Sequence, residues 1–190
     1  MRPNSPRKIT LLGAFLLFIT GMVSGSAQST AAEWAAEQAS GSMAGQASAL
    51  FVEIQREAAL LWRHADTLES LARNTQIGWQ THAFHLDQIK EHINTVGQHT
   101  RELQAIRHDV LPWQQQAINE VTSHAAALAV STEGAISQLQ KNRNRLFVTE
   151  YRVHLTMIAD YSEEMKQTVD KFLDYEKAER KLRQLEDELN

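Results

Sequence analysis

The sequence predicts an all-α fold: an antiparallel up-down four-helix bundle with an extended C-terminal helix, preceded by a signal peptide. Three observations carry this. Only three prolines occur in 190 residues, and two of them lie within the first six. Runs rich in Ala, Leu, Gln and Glu dominate, and these residues favour helix. Apolar residues recur at three- and four-residue spacing, with no strand-like alternation.

The chain starts as an export signal does. Arg2, Arg7 and Lys8 make a positive start, "ITLLGAFLLFITGMV" (Ile9 to Val23) is apolar, and "SGSA" follows with Gly25 and Ala27. Small residues at those two places fit cleavage after Ala27. The apolar run is short for a bilayer span, which needs about 20 residues. Membrane contact is therefore expected only if the signal stays uncleaved, and the mature protein is expected in the periplasm or secreted. Residues 28–47, "QSTAAEWAAEQASGSMAGQA", are small and polar, with Gly41 and Gly45. They read as a flexible or frayed lead-in. The bundle is expected over 48–175, and a projecting charged helix over 176–190.

The first firm helix runs from about Ala49 to Arg73. Its apolar face is Leu50, Phe51, Ile54, Ala58, Leu61, Ala65, Leu68 and Leu71. "NTQIGWQT", Asn74 to Thr81, reads as a turn, and the competing reading is one continuous helix through Gly78. The second helix runs from about His82 to His108, with the near-heptad seam Leu86, Ile89, Ile93, Val96, Thr100, Leu103, Arg107 and Val110. Pro112 ends it and suits the first turn of a third helix, whose face is Ile118, Val121, Ala125, Leu128, Thr132 and Leu139. "QKNRNR" breaks the pattern. The last helix starts between Asn144 and Glu150, with Thr149 as an N-cap, and buries Tyr151, Leu155, Ile158, Met165, Val169 and Phe172. At about 40 residues it would span roughly 60 Å. Its end, "YEKAERKLRQLEDELN", holds the i,i+4 pairs Glu176–Arg180 and Glu179–Arg183 and a thin stripe of Leu182, Leu185 and Leu189. That end is either a self-supporting charged helix or a coiled-coil handle for another copy or a protein partner.

Four segments, "QIGWQTHAFHLDQIKEHINTVG", "LPWQQQAI", "LQKNRNRLFVTEYRVHL" and "DYEKAERKLRQLEDEL", resemble a group of secreted, all-helical bacterial proteins of unknown function. The resemblance covers the chain from about Leu68 to the C-terminus. In that group a proline often follows the threonine before the last helix; here Glu150 follows Thr149. The resemblance implies export and a helical fold, and it brings no catalytic residues.

Composition narrows the function. Three of the 19 Lys+Arg lie in the signal and none of the 23 Asp+Glu does, so removing it takes the net charge from −4 to −7. An acidic chain repels phosphate backbones, so no nucleic acid partner is expected. The basic cluster "KNRNR", Lys141 to Arg145, reads as a solvated turn. Zero cysteines leaves no disulfide and no thiol nucleophile. No catalytic motif is present, no enzyme activity is expected, and no cofactor is called for. Trp79 and Trp113 fall at turns, where large rings seal a bundle end.

The eight histidines are the conspicuous feature. His85, His92 and His99 recur every seven residues, one position before seam residues. Seven residues advance a helix by about 10.5 Å, so this stripe cannot share one ion through bonds of about 2 Å. Reflection across the turns puts His64, His92 and His154 at one level of the bundle. That trio is the candidate metal site. The alternative is that each is a helix-flank residue with its polar tip in water. Eight imidazoles also suggest acid sensitivity below about pH 7. The first functional reading is thus an exported, non-catalytic helical bundle acting through protein–protein contacts. The second is a periplasmic metal- or small-ligand-binding bundle.

Overall fold

The computed structural model describes residues 27–143, 145–146 and 148–189. The expected signal peptide falls almost wholly outside them. The described chain forms four helices and no strand: α1 (Ala27–Leu71), α2 (Trp79–Ala105), α3 (Pro112–Lys141) and α4 (Thr149–Leu189), with a 3₁₀ turn at Arg107–Asp109 before α3. Among these elements α1 packs on α2, α2 on α3, α3 on α4, and α4 closes the ring onto α1. Among the described residues no helix is long and apolar enough to cross a membrane.

The apolar faces close on one another. Phe51, Ile54, Ala58, Leu61, Ala65 and Leu68 of α1 are buried, as are Leu86, Ile89, Ile93, Val96 and Leu103 of α2. Ile118, Val121 and Leu128 of α3 join them, with Tyr151, Leu155, Ile158, Met165, Val169 and Phe172 of α4. Each buried Leu or Ile contributes about 1.5–3 kcal/mol from its removal from water. That apolar contact holds the bundle, because exposed ion pairs such as Arg73–Glu69 contribute little.

The connections follow local chemistry. After α1 the Asn74 side-chain oxygen accepts from the Gln76 N–H at 3.0 Å, which turns the chain. Gly78 is extended (φ −76°, ψ 157°) and caps α2. The continuous rod through Gly78 is therefore not formed, and Trp79 to Thr81 are helical rather than turn. Leu111 is extended and Pro112 opens α3. The Leu111 N–H donates to the Gln114 carboxamide oxygen at 3.1 Å, closing that first turn.

A further stretch is helical where a flexible or frayed lead-in is expected. Residues 28–47, read as a lead-in, continue α1 back to Ala27. Two mid-helix glycines cost about 1 kcal/mol each, but packing offsets them. Ala47 is fully buried, and Gln114 of α3 donates to the Ala44 carbonyl at 2.9 Å. At the other end of α4 the expected ion pairs form, Arg180–Glu176 at 3.8 Å and Arg183–Glu179 at 3.3 Å, and residues 181–189 are exposed on every side.

Candidate functional site: the histidine face between α1 and α2

The seven-residue spacing places His85 and His92 beside the buried Leu86 and Ile93 of α2, on the flank that meets α1. There His64, the residue before buried Ala65, stands between them. Its Nδ1 is 3.4 Å from Nδ1 of His85. Its ring stacks on His92 with centroids 5.5 Å apart and planes 27° apart. One position further along, His92 Nδ1 lies 2.7 Å from a carboxylate oxygen of Glu57. Glu57 is buried, at 7% exposure, and its other oxygen takes Arg56 at 3.2 Å. Three imidazoles and one buried carboxylate thus lie side by side along the seam between α1 and α2.

Their electrostatics follow from crowding. Burial, then the neighbouring His92 and His85 and the adjoining Arg63, hold His64 below its ordinary value. Burial lowers His85 as well. Both imidazoles favour the neutral form, because a proton on either meets lost solvation and, for His64, like charge nearby.

His82 sits one turn before this face and points inward. It is 1% exposed, and its Nδ1 lies 3.0 Å from the Tyr151 hydroxyl on α4. Burial, then His85, lowers it, and burial raises the Tyr151 phenol. The pair is a polar bond inside the apolar core, between residues 69 positions apart in sequence.

The predicted trio is only partly assembled. His64 and His92 meet. His154 is elsewhere, its ring lying against Gly134 of α3, where an added Cβ would fall 2.6 Å from both ring nitrogens. Among the described residues no group of three or more His, Asp or Glu side chains is arranged to hold a metal ion. Equal rise per residue sets His92 beside His64, whereas His154 projects towards α3, as the rotation of α4 dictates. His99 flanks the same seam and leaves its buried Nδ1 without a hydrogen-bond partner.

Spacing gives no hint of Glu57, of the contact between His82 and Tyr151, or of the pairing of His85 with His64. A signal existed for His82. It lies four residues before Leu86 and three before His85, so it extends the buried seam one turn towards the N-terminus. Trp79 and Trp113, at the first turns of α2 and α3, pack against the core: Trp113 stacks on Phe172 at 6.4 Å and meets Tyr175 edge-on, and Trp79 lies under the Arg143 guanidinium at 4.6 Å. The chain matches no family model, no curated protein and no solved structure.

Proposed function

We propose that the chain is an exported, non-catalytic helical bundle that acts through protein–protein contacts, its C-terminal helix pairing with a second copy. The observation that carries this is the end of α4. Leu182, Leu185 and Leu189 are 56%, 47% and 87% exposed and share one helix face at three- and four-residue spacing. The charge there is divided. Residues 177–184 carry Lys177, Arg180, Lys181 and Arg183 against one acid, Glu179, which pairs with Arg183, and Glu186, Asp187 and Glu188 follow them. Laid antiparallel, two such segments set basic half against acidic half, with the leucines between them.

The magnitude is modest. Six leucines at about 1.5–3 kcal/mol each if fully buried oppose an association cost of about 4–15 kcal/mol. The pairing is therefore weak and concentration-dependent, and salt weakens it further. Export through a signal peptide cleaved after Ala27, to the periplasm or beyond, is supported by the positive-then-apolar start and by the resemblance to secreted helical proteins. An antiparallel up-down order is supported by cross-helix pairs. Gln55 meets Asp170 at 2.6 Å, while Gly45, earlier on α1, shares a groove with Arg180, later on α4.

Sedimentation equilibrium of the mature chain tests the pairing. Association that rises with concentration, and is lost in Leu182→Asp/Leu185→Asp, is the expected result. A monomer at all concentrations, or a dimer unchanged by that substitution, overturns it.

A further inference from the structure

The geometry points to a zinc site on the histidine face: Nδ1 of His64 and Nδ1 of His85 clasp one Zn²⁺ across α1 and α2, with water or an outside ligand completing the tetrahedron. The inference is independent of the C-terminal pairing.

The separation of the two nitrogens is the first observation. Zinc–nitrogen bonds of about 2.0–2.1 Å at a tetrahedral angle set neighbouring ligand nitrogens about 3.3–3.4 Å apart. His64 and His85 hold theirs at 3.4 Å. The same spacing lets the two rings share an N–H···N hydrogen bond when no ion is bound. It is wider than the roughly 2.8 Å between adjacent nitrogens around a square-planar copper. A tetrahedral ion such as zinc fits the spacing as it stands.

Access and protonation agree with it. Both rings are half-buried, so an ion can reach them from solvent while the helices hold the rings in place. Metal binding needs the neutral imidazole, and both residues are biased towards it by burial. His92 forms the wall rather than a ligand. It stacks on His64, and its Nδ1 is already taken by Glu57. That bond fixes His92, and His92 in turn limits how far the His64 ring can turn. A pair of protein ligands leaves two coordination positions for water or an outside ligand, one more than the three-ligand open sites of zinc enzymes.

Titration calorimetry of the chelator-stripped full chain with zinc chloride tests this, alongside its melting temperature. We expect one saturable zinc per chain and a rise in melting temperature. Both should be lost in His64→Ala and His85→Ala and kept in His154→Ala. His85→Gln, which keeps a polar side chain of similar size, covers a failure of the alanine variants to fold, and it too should lose zinc. Absence of saturable binding in the parent chain overturns the site. So does binding that survives in His85→Gln, or that disappears in His154→Ala.

Discussion

Gly134 and His154 make a pair whose substitution effects should change sign with background. Gly134 lies inside α3, where alanine is ordinarily favoured over glycine by about 1 kcal/mol. Here the His154 ring covers the Gly134 backbone, and a Cβ would stand 2.6 Å from two ring nitrogens and closer still to the carbon between them. Either the ring leaves its seat or the helices part, and such overpacking costs about 1–3 kcal/mol. Gly134→Ala in the parent chain should therefore be neutral or destabilising by up to about 2 kcal/mol once the helix preference is set against the clash. In a His154→Ala background the ring is gone, and the same change should stabilise by about 1 kcal/mol. The coupling between the sites is then about 1–3 kcal/mol. Urea unfolding of the four species of the cycle reads it directly, and melting should move by about 2–4 °C per kcal/mol in a chain of this size. If Gly134→Ala stabilises equally in both backgrounds, the ring does not rest on Gly134 and the packing of α3 on α4 described above is wrong.

Acid should weaken the fold through His82. Its folded-state pKa is lowered by burial, then by His85, so the unfolded chain takes up the proton first. The stability tied to neutral His82 is complete above the unfolded value near 6.5 and is lost as pH falls from there through the folded value, at most about 1.4 kcal/mol per pH unit. Denaturant titrations with chelator between about pH 7.5 and 5 should show that slope reduced in His82→Gln, and an unchanged slope assigns the acid response to other groups. Tyr151→Phe removes the hydroxyl that meets His82 and should cost about 1–3 kcal/mol, measured by the shift in urea midpoint. Glu57→Ala deprives His92 of its 2.7 Å partner and should cost a similar amount, about 1–3 kcal/mol; a loss below a few tenths in the same titration would mean that water replaces the carboxylate freely. Leu61→Ala, at a fully buried position of α1, should cost about 2–5 kcal/mol.

Much of the bundle was legible because apolar period survives in the sequence. The seams of α2 and α4 were read almost residue for residue, and Pro112 marked the start of α3 by its chemistry. What was not legible depends on neighbours. Residues 28–47 look weakly helical alone, yet α1 continues through them where Ala47 meets the core and Gln114 reaches the Ala44 carbonyl. His92 was correctly placed level with His64, because equal rise per residue fixes height. Height does not fix azimuth, and His154 turned towards the slot left by the missing side chain of Gly134. The burial of Glu57 under His92 and Arg56 had no signature in spacing, since a glutamate on a helix flank is ordinarily solvated.

The four helices close into a ring that brings His64, His85 and His92 together and ties His82 to Tyr151. Nuclear Overhauser contacts between selectively labelled histidine and tyrosine rings measure this most directly. Cross-peaks are expected between His82 and Tyr151, whose ring centroids are 5.7 Å apart, and between His64 and His92, with none between His64 and His154. A His64–His154 cross-peak, or silence between His82 and Tyr151 in the folded chain, would contradict it.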